Sequence, residues 1–141
     1  MIVLDTNVIS ELMRAEPAPI VVRWVDAQPA ASLYATSLAQ SEILLGIALL
    51  PRGKRREALS TAAAAIFEQD FAGRVLPFGS DAARAYADLA AARRRAGRPI
   101  STIDAQIAAI ARSRDAKLAT RNVADFDGCH VDVIDPWLGA S

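Results

Sequence analysis

Short apolar runs alternate along this chain with longer segments whose apolar residues recur every three or four positions. Ile2-Val3-Leu4 is continuous and apolar, the pattern of a strand covered on both faces. Asp5-Thr6-Asn7 reads as a strand-to-helix turn, with a short helix running to about Met13. Pro17 and Pro19 punctuate the next loop, and a helix from about Ile20 to Asp26 gathers Val21, Val22, Trp24 and Val25 before Pro29 stops it. A second strand is expected over Ser32 to Ala35. Ser37 opens the next helix with Gln40 at capping-box spacing, and Leu38, Glu42, Leu45 and Leu49 fall on one apolar stripe until Pro51. A long alanine-rich helix is predicted from Arg52 to about Glu68, and a third strand over Val75 to Phe78. Ser80 or Asp81 caps a helix reaching Ala96, ended by Gly97 and Pro99, and Ser101 or Thr102 caps another that runs from Ile103 to about Ser113. Lys117 to Thr120 and Val131 to Ile134 supply the fourth and fifth strands, and Pro136-Trp137 is expected to pack down the C-terminal end. Strands alternating with helices predict parallel pairing and an α/β sandwich, in which ligands bind beyond the carboxyl ends of the strands.

A length of 141 residues suits one domain, 1–141, and 52% hydrophobic against 23% charged residues is a globular balance. Sixteen Lys+Arg offset sixteen Asp+Glu, which argues against a strongly basic nucleic-acid coat and against an acidic tail. A single cysteine, Cys129, excludes an internal disulfide framework and a cysteine-rich zinc site. The N-terminus lacks a basic leader, and no uncharged apolar run approaches the roughly 20 residues that cross a bilayer. The expectation is a cytoplasmic protein with no membrane partner.

Four acids fall where this architecture puts a site. Asp5 ends the first strand, Glu42 lies on the stripe of its helix, Asp104 is in the first turn of its helix, and Asp125 follows the fourth strand. Each has a local alternative: Asp5 as a helix cap, Glu42 as half of an ion pair, Asp104 as the acid of a Ser101-x-x-Asp104 cap, Asp125 as a turn former. Together they suggest more, because carboxylates gathered on a buried side repel one another and need a cation. Mg²⁺ or Mn²⁺, hard ions that take oxygen ligands, would resolve the conflict and could activate a water for hydrolysis. With those four acids set aside, the rest of the chain carries an excess of four basic groups, a mildly basic body around an acidic centre.

The ordered set Val3-Leu4-Asp5-Thr6-Asn7, Glu42 within Ala39 to Ile43, Asp104 within Thr102 to Ala108, and Thr120-Arg121-Asn122 followed by Asp125-Phe126 resembles PIN-domain ribonucleases, in particular VapC-type toxins of the FitB-like branch. The resemblance runs from Met1 to Trp137. It implies a PIN-like three-layer α/β/α sandwich with a central, mostly parallel sheet. It further implies a Mg²⁺-dependent endoribonuclease that cuts single-stranded or loop RNA, is held inactive by a cognate antitoxin, and forms a homodimer. Carried over residue by residue, Asp5, Glu42 and Asp104 would be the metal-binding acids, with Thr6, Asn7, Thr120 and Asn122 supporting the pocket. Some relatives carry an acid at the position of Asn122; here Asp125 is the expected substitute.

Two basic runs remain, Arg52 to Arg56 and Arg93-Arg94-Arg95 with Arg98. The second sits just ahead of Asp104, and Arg93, Arg94, Arg95 and Arg98 are candidate RNA contacts, although cations also suit a helix C-terminus. Cys129-His130 carries no sign of an activated nucleophile, and Trp24 and Trp137 read as packing or interface residues. The alternative function is a catalytically silent PIN fold or a receiver-like partner-binding module. A receiver needs a lysine reaching its phosphate, and this chain has only Lys54 and Lys117, neither at a strand's carboxyl end.

Overall fold

The computed structural model describes residues 1–139; positions 140 and 141, the last two of the expected domain, lie outside the described residues. Five strands form one sheet: β1 (Ile2–Leu4), β2 (Leu33–Thr36), β3 (Val75–Leu76), β4 (Lys117–Ala119) and β5 (Val133–Ile134). Their spatial order is β3-β2-β1-β4-β5, and every pairing is parallel. Six α-helices connect them: α1 (Thr6–Leu12), α2 (Pro19–Asp26), α3 (Ser37–Ala48), α4 (Lys54–Ala64), α5 (Ser80–Arg95) and α6 (Thr102–Ser113). α4 runs on as a wider π-helical turn, Ala65–Asp70.

The period of two in the strands divides the core. Ile2 and Leu4 pack with Val8, Val21, Ile43 and Phe67 on the side of α1 to α4. Val3 and Leu118 point the other way, onto Leu89, Ile107 and Ile110 of α5 and α6. The result is the expected three-layer α/β/α sandwich. Its central strand, β1, is buried from Ile2 through Asp5. That position brings the first acid to the carboxyl edge of the sheet at its middle.

Three local expectations change. The cap of α3 is Thr36, whose hydroxyl accepts the Ala39 N–H at 3.0 Å, one residue ahead of the predicted Ser37. The buried face of that helix is Ala39, Ile43 and Ile47, while Leu45 is 60% and Leu49 76% exposed. The helix is apolar nearly all round, so spacing offers two stripes, and the slimmer one fits against the sheet. Glu42 therefore lies on the outer face and is exposed. α4 begins at Lys54 rather than Arg52. Cys129 and His130 lie in the loop ahead of β5.

α5 closes as expected at Gly97 (φ +71°), a left-handed conformation that suits glycine, with Gly97 N–H on the Arg94 carbonyl and Arg98 N–H on that of Arg93. This stop turns the chain back into α6. Ser101 caps α6 by accepting the Asp104 N–H at 3.2 Å.

Candidate active site

β1 ends on Asp5, and its backbone N–H still belongs to the ladder, donating to the Ala119 carbonyl of β4 at 2.9 Å. The Asp5 side chain is only 4% exposed and is ringed by donors from both strand ends. Oδ1 accepts the Thr6 N–H at 2.8 Å; Oδ2 accepts the Thr120 hydroxyl at 2.8 Å and the Asn7 amide at 3.4 Å. Thr120 Oγ1 also accepts from Asn7 Nδ2 and from Asn122 N–H, each at 3.1 Å. Thr6 donates its hydroxyl to Glu42 Oε1 at 2.6 Å. One hydrogen-bonded knot thus joins the turn after β1, the loop after β4 and the outer face of α3.

The knot does not fully offset burial. Desolvation pushes the Asp5 carboxyl from 3.8 up to about 6, against the lowering pull of the Thr120 and Thr6 hydrogen bonds; the charges of Asp104 and Glu42 push it up further. A buried carboxyl raised by its own burial and by two like charges marks a place that a cation would stabilise.

Asp5, Glu42 and Asp104 line one cavity of about 510 Å³ together with Thr6, Asn7 and Asn122. Thr120 lies beneath it, fully buried. Asp104 is the third residue of α6; its backbone is capped by Ser101, and among the described hydrogen bonds its carboxylate does not return to the Ser101 N–H. Among the described residues no three acids are drawn close enough to grip one ion in common. The donor set nevertheless suits Mg²⁺, which is commonly held by one or two carboxylates with waters and substrate phosphates rather than by an all-protein cage.

Asp125 and the four arginines expected near the site lie away from this cavity. Asp125 does not line the cavity; its side chain is exposed, in the tight turn Val123–Phe126. That turn buries Phe126, and the Asp125 backbone is the part of the residue that is used: its N–H donates to the Asn122 carbonyl at 3.0 Å and its carbonyl accepts from Arg93 Nη1 at 2.8 Å. Arg93 in turn points inward. It is 7% exposed, and its guanidinium donates to the carbonyls of Arg98 (2.6 Å), Asp125 (2.8 Å) and Asp127 (2.9 Å). Among the described residues it pairs with no carboxylate, so main-chain oxygens solvate its charge. Arg94 and Arg95 are exposed on α5, and Arg98 is exposed but paired with Asp127 at 3.0 Å, which holds the Asp127 carboxyl low. None of these four arginines lines the acid cavity.

The cavity wall also contains residues that the sequence reading passed over: Glu11, Arg14, Arg121 and Trp137. Glu11 is a fourth acid at the wall, but its carboxylate is already engaged by Arg14 at 3.2 Å and by the Ala18 N–H at 3.0 Å, which braces the α1–α2 connection. Its signal was available, since Glu11 stands four residues after Asn7 on the same face of α1. Cys129 is buried beside Arg93 Nη1 at 3.5 Å, and burial pushes its thiol up, which leaves it unactivated.

A parallel α/β/α sandwich with acids gathered at the carboxyl edge of its middle strand defines the class of protein. A family model described as "PIN domain" matches residues 2–127, and the chain belongs to that family. It is 44% identical over 137 residues to the VapC ribonuclease Y4jK of Sinorhizobium fredii, covering 97% of this chain and 98% of that protein. It is 37% identical over 137 residues to the toxin FitB of Neisseria gonorrhoeae, covering 97% and 99%. Among solved structures, that of FitAB bound to an IR36 DNA fragment superposes with a TM-score of 0.90 at 37% identity, covering 97% of this chain and 96% of that one.

Proposed function

We propose that this chain is the ribonuclease toxin of a toxin–antitoxin pair, a divalent-metal-dependent endoribonuclease that cuts RNA by hydrolysis in the cytoplasm. The observation that carries the reading is the Asp5 carboxyl. It is buried, raised to about 6, and shares its cavity with Glu42 and Asp104. Relatives named VapC ribonuclease and toxin FitB, which match nearly the full chain, support the same reading.

Asp5, Asp104 and Glu42 would surround Mg²⁺, or Mn²⁺ in its place, one or two of them as direct ligands and the rest through its waters. The bound cation supplies a water of lowered pKa and positive charge for the phosphoryl oxygens. The chain's own residues prepare that chemistry. Thr120, Asn7 and the Thr6 N–H fix both oxygens of Asp5, so its orientation is set before any ligand arrives. Thr6 Oγ1 holds Glu42 toward the same cavity from α3. Asn122, an amide whose N–H is tied to Thr120, leaves the β4 side of the cavity without a further negative charge.

The partners in this reading are RNA, a second copy of the chain and a cognate antitoxin. The exposed leucines of α3, Leu44, Leu45 and Leu49, offer an apolar face for the second copy. Among the described residues no helix is long and apolar enough to cross a membrane.

The decisive experiment is cleavage of a labelled single-stranded RNA by the purified chain with Mg²⁺ or Mn²⁺, with excess chelator, and with Asp5→Ala. Cleavage that needs the ion and disappears in the variant is expected. Cleavage that persists in chelator would remove the metal reading. A chain that cuts no RNA, and whose expression alone leaves bacterial growth unaffected, would remove the toxin reading.

A further inference from the structure

The acid cavity has one wall that the proposed chemistry leaves unused. Arg121 follows the buried Thr120 at the end of β4, and its N–H donates to Asn7 Oδ1 at 3.3 Å, so its backbone belongs to the knot around Asp5. Its guanidinium lies 5.0 Å from the centre of the Trp137 ring. Trp137 is itself held in place. Its N–H donates to Asp135 Oδ1 at 2.9 Å, and its indole is half-buried against the core on the α1–α4 side. Both residues line the cavity of Asp5, Glu42 and Asp104.

The two arginines of this wall differ. Arg14 is paired with Glu11. Among the described residues Arg121 makes no ion pair, although four carboxylates, those of Asp5, Glu11, Glu42 and Asp104, line the same cavity. The ring attracts the charge of the guanidinium, which donates no hydrogen bond among the described ones, so its N–H donors are free. Those donors form a fork that matches a phosphate in bidentate fashion. The ring contact also restricts a long side chain before a ligand arrives, which lowers the entropy lost on binding.

We infer that Arg121, supported by Trp137, is the phosphate clamp of this cavity and takes a backbone phosphate of the RNA strand next to the one cleaved. The inference rests on the ribonuclease reading and adds to it the residue that seats the strand. Arg121 touches substrate in the ground state and the transition state alike, so its contribution falls on binding rather than on the chemical step.

Steady-state cleavage of a labelled single-stranded RNA across a salt series tests this. Arg121→Ala should raise KM by about tenfold or more, the effect of losing a charge-assisted contact, and change kcat by less than about threefold. Its log(kcat/KM) against log[salt] should become shallower by about one unit, the mark of one lost phosphate contact. Arg121→Lys keeps the charge without the fork and should fall between the two. Trp137→Leu should raise KM in the same direction, whereas Trp137→Phe, which retains an aromatic face, should raise it less. An unchanged KM and salt slope in Arg121→Ala overturns the clamp while leaving the ribonuclease reading intact. A loss confined to kcat, at unchanged salt slope, overturns it equally. A wild-type chain that cuts no RNA removes the ribonuclease reading and the clamp together.

Discussion

The loops after β1 and β4 leave the sheet side by side at its carboxyl edge and use their acids in opposite ways. After β1 the turn is short. Asp5 is buried at the strand end, and five hydrogen bonds converge on it or on its partner Thr120. After β4 the chain wanders from Thr120 to Asp132 before it joins β5, and Asp125 contributes only its backbone while its side chain stays in solvent. The first loop is organised around an anion, the second around a cation, the buried guanidinium of Arg93. An acid is kept in this site where the strand end leaves its carboxylate nowhere to turn. A longer loop satisfies its backbone first, and its carboxylates face water.

The largest expected effect tests the first half of that contrast. Asp5→Asn or Asp104→Asn removes a charge from the cavity and should lower RNA cleavage by at least about 10²–10³-fold, with the fold retained on circular dichroism. Cleavage at wild-type rates in either variant would mean that the knot around Asp5 is structural only.

Arg93 tests the other half. Replacing it with Met strips three carbonyls of a charged donor and leaves them inside the protein. Urea unfolding should show a loss of about 3 kcal/mol or more, since a single hydrogen bond to a charged group contributes about 1.5–3 kcal/mol. Arg93→Lys keeps the charge but cannot reach several carbonyls with one planar fork, and should recover only part of the loss. A variant as stable as the wild type would show that the loop after β4 stands without its brace.

These two regions also show what could be read from the chain alone. The alternation of elements was legible, because apolar runs such as Ile2 to Leu4 and capping residues such as Ser101 act locally. Asp5, Glu42 and Asp104 were legible as a group for the same reason: each stands at a strand end or near a helix start, so the fold class carries them to one edge. The face of α3 was not, because Leu, Ile and Ala cover both sides of that helix, and packing against the sheet decided between them. Arg93 was not legible either. In sequence it is one of three consecutive arginines, and only the meeting of α5 with a loop some thirty residues later distinguishes it from Arg94 and Arg95. Trp137 read as packing, which half describes a ring that also supports Arg121.

A smaller effect comes from protonation of Asp5. Its folded value, about 6, lies above the ordinary 3.8, so the fold favours the protonated form. The associated stability is fully present below about pH 4 and is lost as pH rises through 6. Across that window it amounts to about 3 kcal/mol, and going from pH 8 to pH 5 should recover about 1 kcal/mol in the metal-free protein. Asp5→Asn should flatten this part of the profile and be more stable than the wild type at pH 8. Identical pH profiles for the two proteins in denaturant titrations with chelator present would show that burial does not penalise the Asp5 charge.

The smallest effect is expected at Asp125, and it bears most directly on the comparison. If only its backbone is used, Asp125→Asn keeps everything the residue does: the main-chain acceptor for Arg93, the N–H bond to the Asn122 carbonyl and the short polar side chain of a tight turn. Cleavage should change by less than about twofold and stability by less than about 0.5 kcal/mol, the range for surface substitutions away from special features. Asn122→Asp provides the contrast, because Asn122 lines the cavity and a charge there joins Asp5, Glu42 and Asp104. That variant should shift the Mg²⁺ concentration needed for half-maximal cleavage, whereas Asp125→Asn should not. A tenfold loss in Asp125→Asn would instead place its carboxylate at the metal during turnover, which requires the loop after β4 to leave Arg93. The double variant with Arg93→Met should then keep the full cost of Asp125→Asn, since a loop free of its brace brings that carboxylate to the metal more readily.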